Sequence, residues 1–153
     1  VIGGGLPVGA FGGRREVMAE LAPVGPAYQA GTLSGNPLAT AAGLVTLRSL
    51  MADGVYEKLE ETGASLEDAI VASGAPVRIN RVGSMLTAFF TDAPVTDYAS
   101  ATRADTEAFG RWARALLDAG IYPPPSQFEA WFVSLAHGPR EIEQTAEALA
   151  RAA

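Results

Sequence analysis

Residues 28–37 read YQAGTLSGNP. Asn36 and Pro37 precede a long apolar segment and predict the start of a helix, because asparagine caps helices and proline suits the first helical position. Backbone amides beside glycine, a threonine hydroxyl and a helix N-terminus can together bind an anion. The residues alone leave two interpretations open: a phosphate site at Gly31 and Thr32, or a turn that merely caps a helix.

The composition narrows the class of protein. A chain of 153 residues with 48% hydrophobic residues predicts a globular protein. There is no run of eighteen apolar residues and no secretion signal pattern, so we expect no membrane contact and a cytoplasmic location. A net charge of −6 argues against nucleic acid as a partner. With no cysteine and one histidine, neither a disulfide nor a metal site is expected.

Composition and periodicity predict three segments of an α+β protein. Residues 1–35 are rich in glycine and proline and form a loop-rich arm, residues 36–56 form a connecting helix, and residues 57–153 form a smaller domain. The smaller domain is expected to hold a sheet of three to four strands, with strands at 77–81, 85–91, 121–122 and 131–136. Because the chain begins without methionine at a glycine-rich segment, we expect it to be a piece of a larger protein.

Glu129 is the carboxylate that stands out. It lies in the run FEAWF, residues 128–132, where a charge is costly unless it has a partner. A carboxylate among aromatic residues is a candidate site residue, although it could equally be an outward-facing strand residue. His137, the sole histidine, is expected to pack in the core.

Five further motifs carry a resemblance that spans essentially the whole chain. They read GGGLPVGAFGGRRE from Gly3, FFTD from Phe89, GIY from Gly120, SQFEA from Ser126 and SLAH from Ser134. Together with residues 28–38 they closely resemble the C-terminal part of the glutamate-1-semialdehyde 2,1-aminomutase family, within the class-III aminotransferases. This resemblance implies the fold of a fold-type-I pyridoxal 5'-phosphate (PLP) enzyme. The chain would contain its C-terminal small domain, a loop-rich arm and a linking helix from its large domain.

The resemblance also implies a function and site residues. The family consists of homodimeric isomerases that use PLP to convert the small molecule glutamate-1-semialdehyde to 5-aminolevulinate for porphyrin synthesis. Gly31 and Thr32 would bind the cofactor phosphate, belonging to the partner subunit's site. Glu129 would form part of the wall of the active site, near the cofactor and substrate.

The position of the family's Schiff-base lysine falls outside this sequence. In the family this lysine directly precedes the Ile/Val-Gly-Gly-Gly run, a position that would come before Val1. The only lysine here is Lys58, on a predicted solvated helix face, so we expect the chain alone to be inactive. Two alternatives remain open, namely part of another class-III aminotransferase, of the omega or acetylornithine type, and a non-catalytic interaction domain.

Overall fold

The computed structural model describes residues 2–153 and divides the chain into two compact units, Val1–Asp53 and Gly54–Ala153. Over its described residues, 2–53, the first unit contains two helices, α1 (Arg15–Met18) and α2 (Pro37–Leu50). The helices and strands of the second unit are α3 (Val55–Ser73), β1 (Arg78–Val82), β2 (Met85–Phe89), α4 (Tyr98–Ala101), α5 (Thr106–Asp118), β3 (Trp131–Phe132) and α6 (Pro139–Ala152). The fold is α+β, as predicted.

In the first unit, α2 starts where the sequence predicts. Asn36 caps it by accepting a hydrogen bond at Oδ1 from the Ala39 amide over 3.0 Å. The N-terminal segment packs on this helix, since a Cβ on Gly43 would lie 3.1 Å from the Ile2 carbonyl oxygen. Close approach of the two backbones therefore requires glycine at position 43. Of the α2 residues, only Ala39 and Gly43 are buried.

The second unit is built on an antiparallel sheet of order β1-β2-β3. The register pairs Val82 with Met85 at the tight end of the first hairpin, and Leu86 with Trp131 between β2 and β3. Helix α6 packs against both α3 and α5. The core includes the most deeply buried apolar side chains, which are Ile70, Leu86, Ala88, Leu116, Ala148 and Leu149.

Two predicted strands differ from the structure. Residues 121–122 are not a strand, and no fourth strand exists within residues 2–153. The amide of Ile121 instead donates to the Leu116 carbonyl over 2.9 Å, which completes the end of α5, and the prolines that follow have no amide to offer a sheet. The last predicted strand is reduced to Trp131–Phe132, because the Ser134 amide donates to the ring of His137.

Arg81 joins the first hairpin to α3. Its guanidinium contacts the carboxylates of Glu60 and Glu67, each at 2.6 Å, and donates to the Gly83 carbonyl at 3.0 Å. The hydrogen bonds to Glu67 and Glu60 raise the pKa of Arg81 above its ordinary value. Gly63 of α3 faces the same turn, and a Cβ there would collide with the Gly83 carbonyl oxygen. The helix and the hairpin therefore meet backbone to backbone.

Within residues 2–153 no single helix is long and apolar enough to cross a membrane. Helices α2 and α3 reach the length and apolar composition of a membrane span only when they are counted together as one segment with a break.

Candidate functional site

The first predicted site lies in the turns that lead into α2. The Ser34 amide donates to the Gly31 carbonyl over 3.0 Å, and the Asn36 amide donates to the Leu33 carbonyl over 3.2 Å. A Cβ on Gly31 would lie 2.5 Å from Oγ of Ser34, so a larger residue there would displace that side chain. Glycine thus lets the chain fold tightly on itself immediately before Thr32.

Thr32 is exposed, and its hydroxyl makes no hydrogen bond to any residue in the range 2–153. Asn36 already caps the helix, so the capping role does not account for Thr32. The sequence contains no Asp or Glu from residue 21 to residue 52, and an anion here would meet no carboxylate close in sequence. A free hydroxyl, flanking glycines and the positive end of a helix suit a phosphate group.

The second predicted site residue, Glu129, is carried by a tight turn in the second unit. The Ser126 hydroxyl accepts a hydrogen bond from the Phe128 amide at 3.2 Å, and the Ser126 carbonyl accepts one from the Glu129 amide at 3.1 Å. Both bonds close the turn over residues 126–129. The Phe128 ring rests on Tyr98, with 6.5 Å between ring centroids.

The short helix α4, which carries Tyr98, is ordered by a capping box. The Asp97 carboxylate accepts hydrogen bonds from the Ser100 amide and hydroxyl, each at 2.7 Å. Hydrogen bonds from the Ser100 hydroxyl and amide hold the pKa of Asp97 below its ordinary value. The capped helix therefore supports one side of the turn that carries Glu129.

The environment of Glu129 bears on the two interpretations that the sequence left open. The side chain is exposed, and of its aromatic neighbours only Trp131 is buried, while Phe128 and Phe132 are 49% and 57% exposed. Of these two interpretations, the structure agrees with an outward-facing residue rather than a charge enclosed by aromatic rings, and the residue lies in a turn rather than in a strand. Glu129 borders a cleft of about 530 Å³ whose other wall includes residues 122–125. A carboxylate placed there is free to meet a cationic group.

His137 was expected in the core, but the structure places it on the surface. Its Nδ1 accepts a hydrogen bond from the Ser134 amide over 3.0 Å, so that the ring orientation is set by the backbone. His137 also lines the cleft that Glu129 borders. The spacing Ser-x-x-His was the one available signal for this local bond, and sequence reasoning did not use it.

Comparisons with known proteins agree on one family. The family model for aminotransferase class-III matches residues 1–127 of this chain. The chain is 61% identical over 152 residues to the glutamate-1-semialdehyde 2,1-aminomutase of Pelotomaculum thermopropionicum, a match that covers 97% of this chain and 35% of that protein. The chain thus spans 35% of the length of this curated relative.

Two solved structures extend the comparison to the fold. An omega-transaminase from Sphaerobacter thermophilus superposes with a TM-score of 0.76 at 30% identity, covering 99% of this chain and 36% of that one. A transaminase solved with PLP bound gives a TM-score of 0.74 at 27% identity, over 99% of this chain and 35% of that one. The resemblance to the aminomutase family and the predicted fold-type-I architecture are both confirmed.

Proposed function

The chain belongs to the class-III aminotransferases, and we propose that it is the C-terminal part of a PLP-dependent aminomutase that converts glutamate-1-semialdehyde to 5-aminolevulinate in porphyrin synthesis. The observation that carries this proposal is the 61% identity to a protein of that name over 97% of the chain. The aminomutases of Myxococcus xanthus and Thermomicrobium roseum match at 54% and 56% identity over 99% of this chain. The recurrence of this name among relatives above 50% identity favours the aminomutase over a general aminotransferase.

We assign the phosphate of PLP to Gly31 and Thr32. Thr32 would donate a hydrogen bond from a hydroxyl that no described residue between 2 and 153 uses, and Gly31 lets the backbone approach a bulky anion. When bound, PLP supplies the electron sink for moving the amino group. The residues of this chain then hold the cofactor and form part of the site.

We assign a charge-stabilising role to Glu129. Substrate and product are isomers that each carry an amino group, so a carboxylate beside the reacting atoms can hold an ammonium group in place during the reaction. Its exposure on the cleft leaves the carboxylate accessible to a ligand. The substrate carboxylate and the cofactor ring would be bound by parts of the protein that this chain does not contain.

We further propose that the complete enzyme is a homodimer in the cytoplasm and that the phosphate held by Thr32 belongs to the partner subunit's cofactor. The exposed apolar side chains of the first unit support an interface. They include Phe11, Val24, Tyr28, Leu33 and Leu38, with exposures of 61–85%. Apolar side chains left exposed in such number within one unit are expected to pack against further protein.

A hybrid enzyme tests the proposed function. Residues 1–153 replace the matching segment of the Pelotomaculum thermopropionicum aminomutase, whose own N-terminal part supplies the rest of the protein. We expect the hybrid to bind PLP and to produce 5-aminolevulinate within about tenfold of the rate of the intact relative, since 61% identity preserves most contacts. The intact relative is the control.

Two results would contradict the proposal. A folded hybrid that binds PLP, transfers amino groups from omega-amines to keto acids and yields no 5-aminolevulinate would identify a general class-III aminotransferase. A folded hybrid that cannot retain PLP would favour a non-catalytic domain.

A further inference from the structure

Gln127 is the one buried polar residue in the turn that carries Glu129. It is 2% exposed, whereas the next residue, Phe128, is 49% exposed and Glu129 is exposed as well. The turn therefore directs residue 127 into the unit and residue 129 out of it.

The side chain of Gln127 is attached to a rigid point. Its Oε1 accepts a hydrogen bond from the Phe90 amide over 2.9 Å, across 37 residues of sequence. Phe90 follows the last residue of β2, and its carbonyl accepts a hydrogen bond from the Asp105 amide at 2.9 Å. The Phe90 ring packs edge-on against Trp112, at 5.5 Å between centroids. Gln127 thus links the turn to the end of β2, where Phe90 is held by the Asp105 amide through its carbonyl and by Trp112 through its ring.

The other end of the same amide has no partner. Nε2 of Gln127 is buried and makes no hydrogen bond to any residue from 2 to 153. Leaving a buried donor unpaired costs stability, so this amide is a poor choice for folding alone. An apolar residue would remove that cost but would leave the Phe90 amide without an acceptor. The acceptor oxygen is what glutamine supplies at this position.

We propose that Gln127 is a positioning residue that fixes the backbone from which Glu129 extends, by attaching the turn of residues 126–129 to the Phe90 amide. The consequence for catalysis rests on the role of Glu129 under the proposed function. The hydrogen bond between Gln127 and the Phe90 amide lies within this chain, and its effect on the turn can be measured without cofactor or activity.

The first test is amide hydrogen exchange, followed by NMR on the 153-residue chain. Gln127→Met keeps the length of the side chain and removes the acceptor. We expect protection of the Phe90 and Glu129 amides to fall about tenfold or more, because one hydrogen bond that closes the turn is lost. Unchanged protection at Glu129 would overturn the proposal.

A matched control removes a different buried hydrogen bond from the same unit. Thr62 is 6% exposed and donates from its hydroxyl to the Lys58 carbonyl at 2.8 Å within α3. Thr62→Val should lower the stability of the unit without changing exchange at Phe90 and Glu129. If Gln127→Met does not fold, Gln127→Glu retains an acceptor oxygen, and we expect it to preserve the protection. If the Phe90 and Glu129 amides lose protection from exchange in a folded Gln127→Glu protein, the result would count against the proposed role of the hydrogen bond from Phe90 to residue 127.

The second test is a double-mutant cycle in the active hybrid enzyme. If Gln127 acts through Glu129, Gln127→Met should lower kcat about five- to twentyfold, with little change in KM, PLP content or melting temperature. In the Glu129→Gln background the same change should alter kcat less than about twofold. Equal effects in both backgrounds would overturn the proposal, because the residue would then act independently of Glu129.

The two tests separate the two claims. A hybrid that is active but shows an additive cycle leaves the proposed function standing and removes the role of Gln127. A hybrid that makes no 5-aminolevulinate removes the proposed function, and hydrogen exchange in the chain still decides whether Gln127 holds the turn.

Discussion

Thr32 and Thr40 are both exposed threonines of the first unit, yet only Thr32 follows the glycine of the predicted phosphate turn. Thr32→Val removes a hydroxyl and nearly preserves volume. A hydrogen bond to a charged group contributes about 1.5–3 kcal/mol, so affinity of the hybrid enzyme for PLP should fall about ten- to a hundredfold. Equilibrium dialysis or PLP absorbance during dilution measures this, with Thr40→Val as the matched control. Equal retention of PLP in both variants would leave Thr32 a turn residue only.

Glu129 is the second residue whose charge can be tested alone. Glu129→Gln keeps the shape and removes the charge, and the turnover of the hybrid should fall about ten- to a hundredfold, equivalent to roughly 1.4–2.7 kcal/mol of barrier. The melting temperature should change little, because the side chain is exposed and makes no ion pair or hydrogen bond within residues 2–153. Glu147→Gln, at an exposed position of α6, is the control. An early-melting variant with normal turnover per folded molecule would make Glu129 structural.

At the scale of elements, the contact between α3 and the first hairpin depends on Arg81. Its side chain is 18% exposed and joins two glutamates and one carbonyl. Arg81→Met preserves the apolar stem and removes these bonds, and should lower the free energy of unfolding by about 1–2 kcal/mol, since partly exposed pairs contribute little individually. Urea unfolding followed by circular dichroism measures the loss. Arg111→Met on α5, an exposed position, should change stability by less than about 0.5 kcal/mol. Equal stabilities for the two variants would show that the hairpin does not need Arg81.

The elements also show which signals in the sequence were sufficient. The cap at Asn36 and the helix that starts at Pro37 were predicted correctly, because a capping residue and a proline at the first helical position are adjacent in sequence. The predicted strand at 121–122 was wrong, since strands need a partner and the Ile121 amide was already used by the end of α5. A local sequence pattern does not show whether an amide will bond to a neighbouring strand or to the end of a helix.

At the scale of the whole molecule, the proposed aminomutase activity would require a cofactor lysine, and we predict that Lys58 does not serve as one. Lys58 is the only lysine, and it lies on an exposed face of α3 with Nζ 3.4 Å from Oε2 of Glu61. We expect the 153-residue chain mixed with PLP and borohydride to show no stoichiometric covalent labelling and no production of 5-aminolevulinate. Mass spectrometry of the reduced protein measures this, and Lys58→Arg is the control for adventitious labelling. Stoichiometric labelling that disappears in Lys58→Arg would contradict the prediction.

The sequence by itself determined the family, the α+β class and the candidate residues, because motifs such as residues 28–37 are contiguous and the helix signals are local. The tertiary structure alone decided how those residues are presented. It placed Glu129 on an open cleft rather than among enclosed rings, brought His137 to the surface, and buried Gln127 against Phe90. Burial depends on contacts between residues distant in sequence, here 37 positions apart, and no local pattern encodes which side of a turn the core will occupy.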